Sequence, residues 1–325
     1  MTRHLLGRAA QTLFVLWAAF TVSFLVLFAL PSDPVAVMVG PNMGLSEAEI
    51  DAIRVDLGLD GSLVDQYVAA LDRLLHGDLG RSVQRRRPVA ELLAESLPPT
   101  AALAVAGLVL GVLLGVALAL AATLTRRRAL REALLSLPPV GVALPAFWVG
   151  LLLIQQFSFR WPLFPAAGGT GPRGLVLPAF TLALPIAALV AQLLARGLAE
   201  TMATGYADTA RAKGLGRRAV VLRHALRNAV LPTLTMTGVL VGGLLSGSVV
   251  VETVFSRQGL GRLAATSVTE QDLAVVQALV LLGSAVFALL NLLVDLITPL
   301  LDPRITPAHA PAPPPDAAPA LKPDL

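Results

Sequence analysis

Residues 101–125 run for 25 positions without a charged side chain, and nothing else in the chain limits its fold so strongly. A bilayer core is crossed by about 20 helical residues, so a window this long and this apolar has lipid as its natural solvent. Composition agrees, with 55% hydrophobic residues, 14% charged residues and a mean hydropathy of +0.74. A soluble chain of this length needs far more charge to cover its surface.

Five further windows pass the same test, at 12–30, 134–157, 175–195, 229–251 and 273–297. They are about twice as long as a barrel strand and do not alternate, which indicates helices. Pro138, Pro139 and Pro145 interrupt the third window, and Pro178 and Pro185 the fourth. Neighbouring helices can satisfy the carbonyls that prolines free, so all six windows are expected to span. The first window exceeds a signal-peptide core, and residues 30–34 (LPSDP) lack a small-residue cleavage site, so it reads as a retained helix. The fold class is thus an all-α integral membrane protein, a bundle of six transmembrane helices.

Lys and Arg in the short loops set the orientation. One set holds Arg3, Arg8, Arg126, Arg127, Arg128, Arg131, Arg196, Arg211, Lys213, Arg217, Arg218, Arg223 and Arg227, thirteen in all. The other holds Arg160, Arg173, Arg257 and Arg262. Both termini and the loop 196–228 are therefore expected on the cytoplasmic side. The long segment after the first window carries a net −5, which suits an external face. Within it, Ser46 and Glu49 have capping-box spacing before Ile50, Ile53 and Leu57. A second helical pattern starts at Ser62, with Leu63, Tyr67, Val68, Leu71 and Leu75 on one side. A small helical cap on the outer side is expected. The Pro/Ala-rich tail at 304–325 has no period and reads as disordered.

Catalytic patterns are missing. Without cysteine there is no disulfide, thiolate metal site or thiol nucleophile. No phosphate-binding G-x-x-x-x-G-K-[ST] loop occurs, and Lys213-Gly214 reverses the order that loop needs. His4, His76, His224 and His309 lie in separate loops or tails. No acid sits at the middle of a window: Asp295 lies near one end of the last, and Glu252 just beyond the fifth, where capping or snorkelling explains it. Gly107, Gly111 and Gly115 form a small-residue stripe suited to helix contact. Gln155, Gln156, Gln192, Ser246, Ser248 and Asn291 are the polar residues available for bonds between helices or for lining a route.

The basic loop between the fourth and fifth windows is the remaining feature of note. Residues 200–212 are helix-compatible, Gly214 and Gly216 permit a sharp turn, and residues 219–229 read as helix again. The result is a short knuckle that leaves the membrane and returns. Ala207, Thr209, Ala210 and Ala212 are small enough for close approach of a partner, and Arg211 and Lys213 could contact its acidic groups. Its positive charge alone would also fit simple topology control or anionic lipid.

The stretch Thr209-Ala210-Arg211-Ala212-Lys213-Gly214-Leu215, followed by Arg223-His224-Ala225-Leu226-Arg227-Asn228 and Leu231-Pro232, resembles the EAA loop of ABC importer permeases of the dipeptide/oligopeptide/nickel family. Asp33-Pro34, Gly77-Asp78-Leu79-Gly80-Arg81-Ser82, Leu144-Pro145-Ala146-Phe147-Trp148, Glu252-Thr253-Val254-Phe255 and Gly259-Leu260-Gly261 agree in order and place, so the likeness covers about residues 1–303. The chain departs from the pattern at Asp208, where the Glu-Ala-Ala letters are absent, and at Gln258, where relatives often have Pro.

The resemblance implies a type I ABC importer permease fold of the first-permease type, in a bacterial inner membrane. It implies 1–30 as cytoplasmic N-terminus and first helix, 31–97 as external helical loop, 98–303 as transmembrane core with coupling loop 196–228, and 304–325 as tail. It also implies a permease that is not itself an enzyme and holds no cofactor or metal. ATP and magnesium would sit on two ABC ATPase subunits, or one fused ATPase. A second homologous permease, an extracytoplasmic substrate-binding protein and the lipid bilayer are the other implied partners, and nucleic acid is not. Thr209, Ala210, Arg211, Ala212, Lys213, Gly214 and Leu215 become the expected ATPase-coupling element. Dipeptides or oligopeptides are the expected cargo, with nickel chelates or glutathione as alternatives; an ion-driven secondary transporter or a membrane enzyme is the rival from another class.

Overall fold

The charge-free window lies inside a 36-residue helix, α3, in a computed structural model that describes residues 2–29, 61–82, 84–169 and 171–301. The described elements are helical, in the order α1 (Thr2–Ala29), α2 (Leu63–Leu75), α3 (Val89–Leu124), α4 (Arg128–Ala143), α5 (Ala146–Ile154), α6 (Arg173–Met202), α7 (Gly205–Ala212), α8 (Arg217–Ala219), α9 (Leu226–Val254), α10 (Leu260–Thr269) and α11 (Leu273–Leu301). Short π-helical segments extend α5 through Gln155–Arg160 and join α8 to α9 through Val220–Ala225. Among the described residues, α3, α6 and the Leu273–Leu290 part of α11 are each long and apolar enough to cross a membrane.

α3 and α6 form the centre of the bundle, and the glycine stripe explains their closeness. A Cβ on Gly107 would lie 2.9 Å from Leu182, one on Gly111 2.8 Å from Ile186, and one on Gly115 2.7 Å from both the Ala187 carbonyl and Val190. The three glycines let three successive turns of α6 rest on the backbone of α3. Leu103, Leu182, Ile186 and Val190 continue that contact into a core shared with Leu244, Val251 and Phe255 of the α9 segment. Outward-facing Val105, Val109 and Leu113 on the same helix are exposed, as expected where lipid is the solvent.

The third window is not one straight span. α4 and α5 meet at a 102° bend. Pro138 and Pro139 stay inside α4, whereas Pro145 ends it, although all three prolines had the same standing in the sequence. Leu144 is driven to an extended conformation (ψ 125°) by the proline after it, and Pro145 then caps α5, its carbonyl accepting from Trp148 N–H and Val149 N–H. The Leu-Pro-Ala-Phe-Trp stretch is thus a corner.

The helical pattern at Ser62 forms α2, and its N-cap is a capping box in which Ser62 and Asp65 exchange hydrogen bonds. α2 ends in a Schellman motif: Gly77 (φ +78°) donates to Leu74 O and Asp78 N–H to Arg73 O. Only part of its apolar face is covered. Tyr67 packs on Phe20 and Phe24 of α1 and hydrogen-bonds Thr21 Oγ1 at 2.8 Å, while Leu63, Val68 and Leu75 remain exposed. The Ser46 and Glu49 pattern, Asp33-Pro34 and the 304–325 tail lie outside the described residues.

Candidate functional site

The knuckle is built from the ends of two long helices. α6 stops at Met202, Ala203 and Thr204 turn the chain, and α7 follows for eight residues. It closes with a second Schellman motif: Gly214 N–H donates to Arg211 O at 2.9 Å and Leu215 N–H to Ala210 O at 3.3 Å. Gly214 takes φ +82°, a conformation that L side chains resist, so the turn expected there falls on this glycine. Gly216 does not share that role; its backbone is extended (φ −69°, ψ 155°) and caps α8.

Small residues in α7 serve two surfaces. Ala207 and Ala210 are buried against Val220, with Met202 and Leu215 alongside. Their smallness lets α7 lie close to the returning strand of its own chain, so Ala210 is an internal packing residue. Thr209, Arg211, Ala212, Lys213 and Gly214 are exposed, and Leu215 is half-buried. Arg211 is steered by Asp208 Oδ1 at 2.7 Å and also reaches Met202 O at 3.4 Å. Asp208, the departure from the family's Glu, therefore orients the neighbouring guanidinium from within the loop.

The base of the knuckle is fixed to the bundle. Arg217 Nη2 donates to Thr123 O near the end of α3 at 2.8 Å. The consecutive residues Val220 and Val221 are both fully buried, one facing α7 and the other packed with Ala119, Leu194, Leu198, Ala225 and Ala229. Packed side chains thus run from α7 through Val220 and Val221 to α3, α6 and α9.

At the opposite end of α9 lies a buried polar node whose partners the sequence did not reveal. Glu252 is 1% exposed; Thr100 Oγ1–H donates to its Oε1 at 2.6 Å, and Gly261 N–H and Arg262 N–H donate to its Oε2 at 2.8 and 3.1 Å. The carboxylate caps the N-terminus of α10, where backbone donors and helix dipole favour negative charge. Thr100 Oγ1 also accepts from Leu260 N–H at 2.8 Å. A Cβ on Gly259 would sit 2.4 Å from the Glu252 carboxylate, and one on Gly261 2.4 Å from Val249 Cα. The Gly-Leu-Gly stretch is the close approach of α10 to α9. Arg257 Nη1 donates to Gly174 O at 2.8 Å; burial pushes its guanidinium below the ordinary value while Glu252 opposes the shift.

Beside that node, residues 80–82 and 84–88 fold onto the corner between α10 and α11. Ser82 Oγ–H donates to the buried Asp272 carboxylate, and Arg85 reaches Glu270 at 3.0 Å and Thr266 at 3.0 Å. Gly80, at φ +80°, faces Ala274. The Gly-Asp-Leu-Gly-Arg-Ser stretch thus ties the segment before α3 to α11 across 190 residues of sequence.

Known proteins match this sequence along nearly its whole length. The sequence model of the family described as "Binding-protein-dependent transport system inner membrane component" matches residues 95–307, and that of its N-terminal region matches residues 1–104. The glutathione transport system permease protein GsiC of Escherichia coli strain K12 is 36% identical over 295 residues, covering 91% of this chain and 96% of that protein. Its counterpart from Salmonella choleraesuis is 37% identical over 296 residues, with the same coverage. Two solved structures share the fold: a chain of an amino acid ABC transporter (TM-score 0.51, 20% identity, 66% of this chain and 95% of that one) and a chain of the MetNI methionine ABC transporter in inward-facing conformations (TM-score 0.56, 17% identity, 65% and 96%). The chain belongs to the binding-protein-dependent transport system inner membrane component family, and is a membrane permease of the ABC importer class.

Proposed function

We propose that the chain is the first permease of a bacterial ABC importer for glutathione or other small peptides, and that it receives the energy of ATP hydrolysis through the knuckle. The observation that carries the coupling role is the arrangement of α7: Thr209, Arg211, Ala212, Lys213 and Gly214 face outward, while Ala207, Ala210 and Val220 lock the element to the bundle. An ATPase subunit that grips the outer face would move α3, α6 and α9 as it closes. Ala210 and Leu215 act by shaping the element.

Six transmembrane helices, cytoplasmic termini and an external segment 31–97 complete this reading, with the core at 98–303. α3 is about 54 Å long at 1.5 Å per residue, well beyond a hydrocarbon core of about 30 Å, so its Val89 end and the tied residues 80–82 would stand on the outer side. The Glu252 node, at Thr100, would lie about 16 Å further in along α3. A second permease would complete the path, and an extracytoplasmic binding protein would deliver cargo. ATP and magnesium would be held by two ATPase subunits or one fused ATPase.

The 36% likeness to a glutathione permease supports glutathione, itself a small peptide, and the peptide class expected from the family. The test is uptake of labelled glutathione, dipeptides and oligopeptides by proteoliposomes holding the whole complex with its binding protein. ATP-dependent uptake of at least one is expected, and reversal of charge at Arg211 and Lys213 together should release the ATPase from the purified complex. Uptake driven by an ion gradient without ATP would overturn the reading.

A further inference from the structure

A cavity of about 690 Å³ opens between the ends of α3, α4 and α6 and the base of the knuckle, and four arginines line it: Arg131, Arg196, Arg211 and Arg217. None of its described lining residues is Asp or Glu. Arg211 and Arg217 are engaged with Asp208 and Thr123 O, but among the described residues the guanidinium groups of Arg131 and Arg196 have no hydrogen-bond or ionic partner. Two cations thus face a shared space without a counter-charge.

The rest of the lining has a different character. From Arg131, α4 contributes Leu135, Pro138 and Pro139 at successive turns; from Met202 back along α6 come Ala199, Ala195 and finally Gln192. Along α4 the arginine therefore lies toward the helix end with apolar residues further in, while on α6 Arg196 sits between Ala199 and Ala195 and Gln192 lies deepest. That gradient, positive at the membrane–water boundary and apolar beneath it, is complementary to an anionic phospholipid, whose phosphate lies at the boundary and whose acyl chains point to the membrane centre. A free phosphate compound would find the same cations but no use for the apolar walls.

We infer that this cavity binds an anionic phospholipid of the leaflet on the knuckle side, with its phosphate between Arg131 and Arg196 and its glycerol and upper acyl segments against Leu135, Pro138 and Pro139. Arg211 and Arg217 of the coupling loop line the same cavity, so the headgroup held by α4 and α6 lies beside that loop. The leaflet assignment rests on the proposed cytoplasmic placement of the knuckle.

The experiment uses the complete transporter complex, purified from nanodiscs containing phosphatidylglycerol and phosphatidylcholine, with retained lipid counted by native mass spectrometry. Preferential retention of phosphatidylglycerol is expected in the unaltered complex. R131Q with R196Q should bind it roughly 30-fold more weakly, the attraction of one arginine for an anionic lipid surface compounded over two. R126Q with R127Q removes equal charge from residues outside the cavity lining and should change retention little. Equal retention in both pairs, or an equal loss in both, overturns the site, as does release of the lipid by inorganic phosphate, which would assign a soluble phosphate compound instead. The side of the membrane is checked separately by impermeant maleimide labelling of R126C in this otherwise cysteine-free chain. Labelling from outside would overturn the leaflet assignment while leaving the lipid count interpretable.

Discussion

Replacing Gly214 by Val should uncouple the transporter while leaving the bundle intact. The reasoning separates two quantities that most substitutions confuse. A Cβ at Gly214 would meet nothing within 4 Å, so the position has room for a side chain to begin. The whole effect comes from φ +82°, which costs an L-residue about 1–2 kcal/mol, with a β-branched side chain at the upper end. That is enough to shift the closed turn roughly 5- to 30-fold toward open forms. The turn is held by the Gly214-to-Arg211 and Leu215-to-Ala210 hydrogen bonds, so opening it releases the end of α7 that carries Arg211, Ala212 and Lys213. Asn tolerates the left-handed region better than Val and should restore most of the function. The assay is substrate-stimulated ATP hydrolysis and uptake by reconstituted complex, alongside thermal unfolding of the same preparations. G214V should depress coupling several-fold with an unchanged melting temperature, and G214N should recover it. Full coupling in G214V, failure of Asn to differ from Val, or a clear fall in melting temperature would each refute the argument.

Two further substitutions probe the architecture. G115A drives a methyl group toward the Ala187 carbonyl, a backbone atom that can yield only if α6 moves, and should destabilise the detergent-solubilised protein by about 1–3 kcal/mol. G283A, whose Cβ meets nothing within 4 Å, is the neutral counterpart in thermal unfolding. T100V removes the hydroxyl that both serves Glu252 and accepts from Leu260 N–H; leaving that buried N–H unpaired should cost about 1–3 kcal/mol, with T100S close to wild type in the same measurement.

How much of this was legible in the sequence depends on how local each cause is. Gly214 was legible because a Schellman turn is decided by a handful of adjacent residues, and the glycine stripe because its four-residue spacing has one geometric meaning on a helix. Pro138, Pro139 and Pro145 could not be ranked in advance: whether a proline is absorbed or breaks the helix depends on what neighbours supply, and only Pro145 directs a corner. Ala207 and Ala210 show another limit. Small side chains announce close approach but not of what, and here the close neighbour is Val220 of the same loop. Thr100 with Glu252, and Ser82 with Asp272, are separated by 152 and 190 residues, and nothing in either segment names the other.

The fate of Glu252 bears on where energy enters. A buried carboxylate in a membrane protein invites a role in ion or proton coupling, and such a role needs a group that exchanges its charge partner during transport. Glu252 is placed otherwise. Its two oxygens are taken by a hydroxyl and two backbone N–H groups of α10, and the glycines at 259 and 261 leave no room for another arrangement of these elements without moving α10 itself. The carboxylate behaves as a fixed cap that makes α9 and α10 one body. Force applied at the knuckle end of α9 would therefore reach the opposite end with little slack, because Val221 joins the loop to α3 and α6 at one extreme and Glu252 joins α9 to α10 at the other. An α9 packed onto the loop at one end and capped onto α10 at the other suits a protein that receives its energy from a partner.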